Sequence, residues 1–476
     1  MYITTQPYQE RNVFMMSILS KSGLYNSPVS PAINNFFREL EIPGLLKKCN
    51  FNKEKGVPVI EVFLTLFQLV FTGMNLYRTI ETGSTSLKKD TAYRFLNSCR
   101  YNWRKFLLLL GSSVINKFVA PLTSRDRTKV LIVDDSYYDR TRSKKVELLG
   151  KVYDHVTGKY VKGFRMLTLG WSDGATFIPL SFSLLSSSKK KNRIQEIQDS
   201  VDKRCNGYKR RTEALCKGTD MTLKLLKEAL KQKISASYVL FDSWFAFPAL
   251  INKVCDLNID VICMVKRMHR VFYRYGDRYL NLESLYKVAE KRTNSGDILA
   301  SIKVELGTKN SRSSMAKIVF VRKKSKKELQ WLAILSTDPE LSDEEVVRIY
   351  GIRWDIEVFF KTAKSMLCLA KEFQGRSYDL LVAHTSIVFT RYIMLSLHAR
   401  QNRDDRSCGE LFFLCCKEIK DVDLMTSLAL IITVLQQAVR AVLVISEEKL
   451  SELFTLFKSL LPKPLQNIYA ISNCES

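Results

Sequence analysis

The 476-residue sequence predicts an α/β fold with a mixed sheet, flanked by helical regions on both sides. Apolar runs of strand length recur from residue 129 onward, in the order three strands, helix, strand, helix, strand. Before about residue 125 and after about residue 340, apolar residues recur instead with the spacing of a helix. These two observations place a sheet domain between two helical regions.

Each predicted strand has a clear sequence signal. The first, KVLIVDDS, is an apolar run that closes with Asp134 and Asp135. GFRMLTLGWSDG and ATFIPLSFSLL follow as two strands joined by an Asp-Gly turn signal. SYVLFDSWF gives a fourth strand that ends at Asp242, and IDVICMVKR a fifth. Acids at the ends of neighbouring strands can converge, because strands lie only about 4.8 Å apart.

Short β-like pieces between about residues 270 and 338 predict a mostly β unit inserted in the α/β domain. The predicted organisation is therefore a helical region over 1–125, a catalytic domain over 126–400 with this insertion, and a helical region over 401–476. In the first region, STSLKKDTAYRFLN predicts a helix-turn-helix-like DNA reader whose helix carries Arg94, Arg100, Arg104 and Lys105. An ordinary basic surface helix is the alternative.

The net charge of +26 comes from 74 Lys and Arg against 48 Asp and Glu. So large an excess repels itself, and a polyanion relieves that repulsion, so nucleic acid is the predicted partner. A membrane is not expected, because three apolar stretches, Val57 to Met74, Leu380 to Leu397 and Leu424 to Ile445, carry polar or charged residues and predict core helices. The eleven cysteines have irregular spacing, which favours reduced thiols in a cytosol.

The segment LSDEEVVRIYGIRWDIEVFFKTAK predicts one long helix that begins with a capping-box spacing at Ser342 and Glu345. Its charged and aromatic side chains share one helix face, within about 80° on a helical wheel. They are Tyr350, Arg353, Glu357, Lys361 and Lys364. Apolar residues flank this stripe, so the helix is expected to be largely buried and the stripe to face a site.

The acids and the stripe together predict phosphoryl-transfer chemistry. Asp134, Asp242 and Glu357 would repel one another without cations, and two Mg²⁺ ions roughly 3.5 to 4 Å apart would offset that repulsion. Arginine and lysine beside a metal-binding carboxylate suit the binding of phosphate oxygens. Taken alone, each acid is more readily interpreted as a turn or helix cap, and only the three together in a basic protein favour catalysis. Lys361 is interpreted as an ion-pair partner of Glu357.

Tyr350, then two residues to Arg353, three to Glu357 and six to Lys364, resembles the YREK signature of bacterial insertion-sequence DDE transposases. The resemblance is to the cut-and-paste group that passes through a DNA hairpin. Asp134 in IVDDS and Asp242 in FDSWF fit the other two acidic motifs, and the order Asp, Asp, β insertion, Glu also matches. The resemblance covers roughly Lys129 to Ser396.

The resemblance implies a ribonuclease-H-like catalytic domain that binds two Mg²⁺ or Mn²⁺ ions through Asp134, Asp242 and Glu357. It implies cleavage at terminal inverted repeats, a hairpin intermediate and strand transfer into target DNA. Tyr350, Arg353 and Lys364 would hold backbone phosphates. The implied partners are double-stranded transposon ends and target DNA, bound by a homodimer, and the implied location is the bacterial cytoplasm at the nucleoid.

Several alternatives stay open from the sequence. Trp331 lies where relatives have a tryptophan that stacks on a flipped base, but a buried strand tryptophan fits its apolar neighbours equally well. Asp135 is an alternative to Asp134 as the first ligand, although strand position and the D-x-S spacing favour Asp134. The chain could also be an inactive transposase-derived DNA-binding protein, or a ribonuclease-H-like nuclease or resolvase.

Overall fold

The structure is a computed structural model. It describes residues 30–53, 55–154, 158–198, 201–292, 296–307, 314–323, 330–401, 408, 410–420, 435, 439 and 447–460. The chain divides into two compact units. The helical unit comprises Met1–Ile42, Lys55–Ala92 and Gly409–Ser476, and the sheet unit comprises Pro43–Glu54 and Tyr93–Cys408. The predicted apolar helix over Leu424 to Ile445 lies almost wholly outside the described residues.

Helices precede the sheet, as the apolar spacing predicts. They are α1 (Pro31–Glu39), α2 (Ile42–Lys48), α3 (Val59–Thr72), α4 (Leu76–Glu81), α5 (Lys89–Leu96) and α6 (Trp103–Val114). The hydroxyl of Ser30 accepts a hydrogen bond from the Ile33 N–H and caps α1, and Gly73 ends α3 in the left-handed conformation at φ 68°. Irregular residues at 73–75 separate α3 from α4, and those at 97–102 separate α5 from α6.

Within the described residues, the central sheet has eleven strands. The strands of its predicted catalytic part are β1 (Val130–Asp139), β2 (Gly150–Asp154), β3 (Lys159–Ser172), β4 (Phe177–Leu185), β5 (Tyr238–Phe241) and β6 (Asp260–Val265). β3 pairs antiparallel with β1 along one side and with β2 and β4 along the other, while β1, β5 and β6 are parallel neighbours. The order β4-β3-β1-β5-β6 thus combines an antiparallel and a parallel half.

Helices α7 (Asn206–Ala214) and α8 (Gly218–Lys231) connect β4 to β5, and α9 (Pro248–Cys255) connects β5 to β6. The succession of three main strands, helices, strand, helix and strand is the predicted one, with β2 as an added short strand. The large mixed sheet with helical flanks is consistent with a ribonuclease-H-like DDE domain, and it confirms the predicted fold class.

The predicted β insertion contains β7 (Tyr273–Tyr275), β8 (Arg278–Leu280), α10 (Leu282–Val288), β9 (Ile298–Leu306), β10 (Ser314–Lys323) and β11 (Gln330–Ser336). β11 pairs antiparallel with β6 and also with β10. The inserted strands therefore continue the central sheet rather than forming a sheet of their own. This continuity makes β6 an interior strand with a partner on each side.

The segment after the insertion forms α11 (Asp343–Gly351) and α12 (Trp354–Ser365), followed by α13 (Tyr378–Gln401). The Ser342 hydroxyl accepts a hydrogen bond from the Glu345 N–H at 3.1 Å, as the capping spacing predicts. The prediction of one continuous helix is wrong. The N–H groups of Ile352 and Arg353 bond to the carbonyls three residues back, so a tight turn separates α11 from α12.

Further helical residues lie at 410–420 and in α14 (Glu447–Leu460). Within the described residues, two helical stretches are long and apolar enough to cross a membrane by length and composition alone: Trp103–Leu122 and Tyr378–Gln401. The apolar window of the second is wholly buried inside the protein, in agreement with the predicted core helix over Leu380 to Leu397. The ten cysteines in the described part of the chain are free thiols.

Candidate active site

Asp134 and Asp135 lie within β1, which continues beyond them to Asp139. The expectation that they close the strand is wrong for the pairing of β1 with β3 and correct for the pairing of β1 with β5. Toward β3, the pairing extends over the whole strand from Val130 to Asp139. Toward β5, the last residue of the parallel pairing is Val133. Asp134 is thus the first residue past the end of the parallel ladder, and its carboxylate is buried.

Asp242 has the equivalent position on β5. Val133 of β1 pairs with Phe241 of β5, so the residues that follow these two, Asp134 and Asp242, are neighbours at the same edge. The Asp242 carboxylate accepts a hydrogen bond from the Ser243 N–H at 2.6 Å, and its carbonyl accepts one from the Phe245 N–H at 3.0 Å. A tight turn therefore fixes Asp242 at the end of the strand.

Helix α12 brings Glu357 to the same edge. The Nη1 atom of Arg353 lies 2.9 Å from Asp134 Oδ2 and 3.4 Å from Glu357 Oε1. A single guanidinium nitrogen thus contacts two of the three predicted carboxylates. The side chain of Glu357 is 41% exposed, whereas those of Arg353 and Asp134 are largely buried. The edge is therefore open to solvent on the side of Glu357.

Burial is the main cause that raises the pKa of Asp134 to about 8. The charge of Arg353 opposes this rise, while the charges of Glu357 and Asp242, and a hydrogen bond with Glu357, add to it. The three carboxylates therefore interact electrostatically as one group. One arginine does not compensate them fully.

The raised pKa of Asp134 predicts a pH-dependent loss of stability when no metal is present. The folded protein holds this proton more tightly than the unfolded chain does, so stability falls as pH rises from about 4 toward about 8. Asp134→Asn removes the titrating group. In EDTA, we expect the melting temperature of wild type to fall more steeply over this range than that of D134N. Parallel pH profiles would contradict the burial of a proton at Asp134.

Tyr350 and Lys364 lie beside this edge. The Tyr350 hydroxyl is buried and, among the described residues, has no partner with hydrogen-bond geometry; the Arg353 guanidinium lies 5.9 Å from its ring centroid. Burial raises the pKa of Tyr350, so the phenol stays neutral. Lys364 donates a 2.6 Å hydrogen bond to the Ser136 hydroxyl, and burial lowers its pKa. Lys364 thus offers a charged donor beside β1, and Tyr350 a neutral donor near Arg353.

The structure distinguishes the two adjacent aspartates. Successive strand residues point to opposite faces, so Asp135 faces away from Asp134. Asp135 pairs with Arg165 of β3, whereas Asp134 contacts Arg353. Of the two, Asp134 is therefore the one grouped with Asp242 and Glu357. Ser136 lies two residues after Asp134, so its side chain is on the same face of the strand, where its hydroxyl accepts a hydrogen bond from Lys364. The D-x-S spacing in the sequence indicates this shared face.

Three other predicted residues have different surroundings. Trp331 on β11 is 9% exposed and contacts Tyr286 and Phe320, with Arg267 3.8 Å above its ring centroid. The Trp331 ring could stack on a base only after at least one of these side chains moves away from it. Lys361 is exposed on α12. Arg104 is buried in a 2.6 Å ion pair with Glu213, so the prediction that it belongs to a basic DNA-reading face is wrong.

The donor chemistry of the three carboxylates fits Mg²⁺ or Mn²⁺, because these hard cations take oxygen ligands. As the side chains stand, however, no group of three His, Cys, Asp or Glu side chains in the described residues is close enough to hold an ion. Arg353 supplies positive charge to both Asp134 and Glu357. A cation bound to Asp134 and Glu357 would therefore compete with the Arg353 guanidinium for these two carboxylates.

A mixed sheet with acidic residues at the end of its parallel strands, and basic groups on an adjoining helix, is an arrangement that suits phosphoryl-transfer chemistry. The chain matches the family model of the DDE superfamily endonuclease over residues 72–286 and that of the transposase DDE domain over residues 213–394. These matches support a DDE transposase with transposase or endonuclease function. No curated protein matches the chain.

Proposed function

We propose that the protein is a DNA transposase that cuts the terminal inverted repeats of its own element and joins them to target DNA. The observation that carries the proposal is the shared contact of Arg353 with Asp134 and Glu357. It brings residues more than two hundred positions apart into one site. The two family matches support the same class.

In the proposed reaction, Asp134, Asp242 and Glu357 would hold the divalent cations that DDE transposases typically use. Two bound Mg²⁺ or Mn²⁺ ions would activate the attacking water and stabilise the leaving oxygen of the phosphodiester. The Asp242 turn fixes one carboxylate, while Glu357 on the exposed side of α12 can adjust its position. Burial of Asp134 strengthens the attraction between its ionised carboxylate and a cation, because the surrounding dielectric is low, and a bound cation would displace the proton that burial otherwise favours.

Arg353, Lys364 and Tyr350 contact DNA phosphates in this proposal. Arg353 has a planar fork of donors that suits two phosphate oxygens, and it would be available for them if bound cations took over the charge of Asp134 and Glu357. Lys364 and Tyr350 add a charged and a neutral donor. The freed 3′-hydroxyl would then attack the opposite strand to form a hairpin, and hairpin opening and strand transfer would follow. Trp331 would stack on a flipped base if Arg267 moves aside.

The partners are proposed from charge and resemblance. Double-stranded DNA suits the net charge of +26. The helical region over 1–125 would recognise the transposon ends, and the region over 401–476 would contribute to a homodimer that pairs two ends. The proposed location is the bacterial cytoplasm at the nucleoid.

A labelled-end assay tests the proposal. Purified protein is incubated with DNA that carries the inverted repeat flanking its gene, in Mg²⁺ or Mn²⁺, with D242N as the control. We expect nicks at the repeat terminus, a hairpin product in denaturing gels and joined products with a target plasmid. DNA binding without cleavage in either metal would contradict the proposal and indicate an inactive transposase-derived DNA-binding protein.

A nuclease or resolvase without strand transfer is the second candidate. It is favoured by the match to an endonuclease family model, which spans the first two acidic motifs. The same assay separates the two functions. Efficient nicking without hairpins or joined products would indicate the nuclease.

A further inference from the structure

Trp244 lies two residues after Asp242, in the turn that fixes this carboxylate. Ser243 and Phe245 on either side of it are buried, but the Trp244 side chain is 49% exposed. The turn is held by the two hydrogen bonds that Asp242 accepts from the N–H groups of Ser243 and Phe245. The indole therefore projects from a rigid support next to a predicted catalytic residue.

Lys266 lies against this indole. Its Nζ atom is 3.4 Å from the Trp244 ring centroid, which is a close cation–π contact. Lys266 follows β6 directly, and β6 is the parallel neighbour of β5. The aromatic ring and the cation thus lie just past the carboxyl ends of adjacent strands, at the edge where Asp134 and Asp242 also lie.

The residues that follow Lys266 add further basic and apolar side chains to this surface. Arg267, Met268, His269, Arg270 and Phe272 are exposed and combine positive charge with apolar surface. Aromatic rings that stack on bases, with cations for the phosphates, are the general means by which proteins hold single-stranded nucleic acid. An acidic protein partner would satisfy the charges but would not need an exposed indole beside the carboxylates.

We propose that Trp244 and Lys266 form a stacking platform for a nucleobase of the DNA strand at the active site. This inference rests on the proposed function, because DNA must reach the edge that holds Asp242. Lys266 leaves the ring face for a backbone phosphate, and the base takes its place. Trp331 offers no such surface, because it is only 9% exposed and both Arg267 and Tyr286 pack against its ring.

Binding of a fluorescent oligodeoxythymidine and of an abasic oligomer of equal length tests the platform. The variants are Trp244→Ala and Trp244→Phe, with Tyr279→Ala as the matched control. Tyr279 is 54% exposed on β8, which lies five strands from β6 in the sheet, roughly 24 Å away. We expect W244A to weaken binding to oligodeoxythymidine about tenfold, with W244F and Y279A close to wild type. All four proteins should bind the abasic oligomer alike.

Photocrosslinking with 5-iodouracil in the same oligomer gives an independent readout. The crosslinked peptide should contain Trp244, and W244A should lose this product. Unchanged binding by W244A, an equal loss with the abasic oligomer, or crosslinks that exclude Trp244 would overturn the platform. Neither experiment needs cleavage, so a wild type that binds at Trp244 without cutting its repeats would contradict only the proposed function.

Discussion

Asp134→Asn should reduce DNA cleavage by about 1,000-fold or more, because it removes a carboxylate proposed to hold the reacting cations. Asp135→Asn should stay within about tenfold of wild type. Asp135 pairs with Arg165, whose side chain is 42% exposed, and an ion pair so open to water contributes little to stability. The measurement is the single-turnover cleavage rate of a labelled repeat end in Mg²⁺ and in Mn²⁺.

The adjacent aspartates make this comparison a matched one, since both changes remove one carboxylate from the same strand. D242N and E357Q should lose activity to the same degree as D134N. Gel shifts in EDTA should show that all four variants still bind the repeat. An inactive D135N beside an active D134N would reverse the assignment of the first ligand, and activity in all four would remove this edge of the sheet as the active site.

Loss of activity in D134N should accompany a gain in stability at pH 8 without metal. The buried Asp134 carboxyl lies near Glu357 and Asp242, so its ionisation is unfavourable in the folded protein. Asparagine has nearly the same shape and carries no charge. A site that binds cations can be unstable without them, and this trade-off is typical of active sites.

The sheet and its acids could be predicted because they depend on short-range signals. The apolar runs before Asp134 and Asp242 predict strands, and the parallel pairing of β1 with β5 then places the two acids together. The contact from Arg353 to Asp134 is different, since it depends on how α12 packs against the sheet. Helical spacing predicted that the stripe with Arg353 faces a site, and the resemblance placed Arg353 and Asp134 in the same site, but neither predicted a contact between them.

The failures also have physical reasons. Helical spacing continues through Gly351, so the sequence does not show that three-residue hydrogen bonds break the helix at Ile352 and Arg353. Arg104 looks like a surface cation in the sequence because its partner Glu213 is distant in the chain. The exposure of Trp244 and the burial of Trp331 likewise depend on tertiary neighbours. An apolar pattern predicts that a residue is buried, but not what covers it.

Arg211→Met should destabilise the sheet unit by about 3 to 5 kcal/mol, because it leaves two buried carboxylates without their cation. Arg211 Nε lies 2.6 Å from Glu147, and Nη2 lies 2.8 Å from Asp379. The side chains of Arg211 and Glu147 are each only 1% exposed. Glu147 also accepts a hydrogen bond from the Tyr378 N–H at the start of α13. The network therefore joins the β1–β2 connection, α7 and α13.

Urea unfolding followed by tryptophan fluorescence measures this effect, since Trp171 is buried in the sheet unit. The matched control is Arg348→Met, which breaks a 2.7 Å pair with Glu345 in which the two side chains are 49% and 44% exposed; it should cost well under about 1.5 kcal/mol. The triple variant R211M/E147Q/D379N should recover part of the loss, because it removes the stranded charges as well. If R211M and the triple variant unfold at the same urea concentration, packing of the arginine rather than its charge holds these segments together.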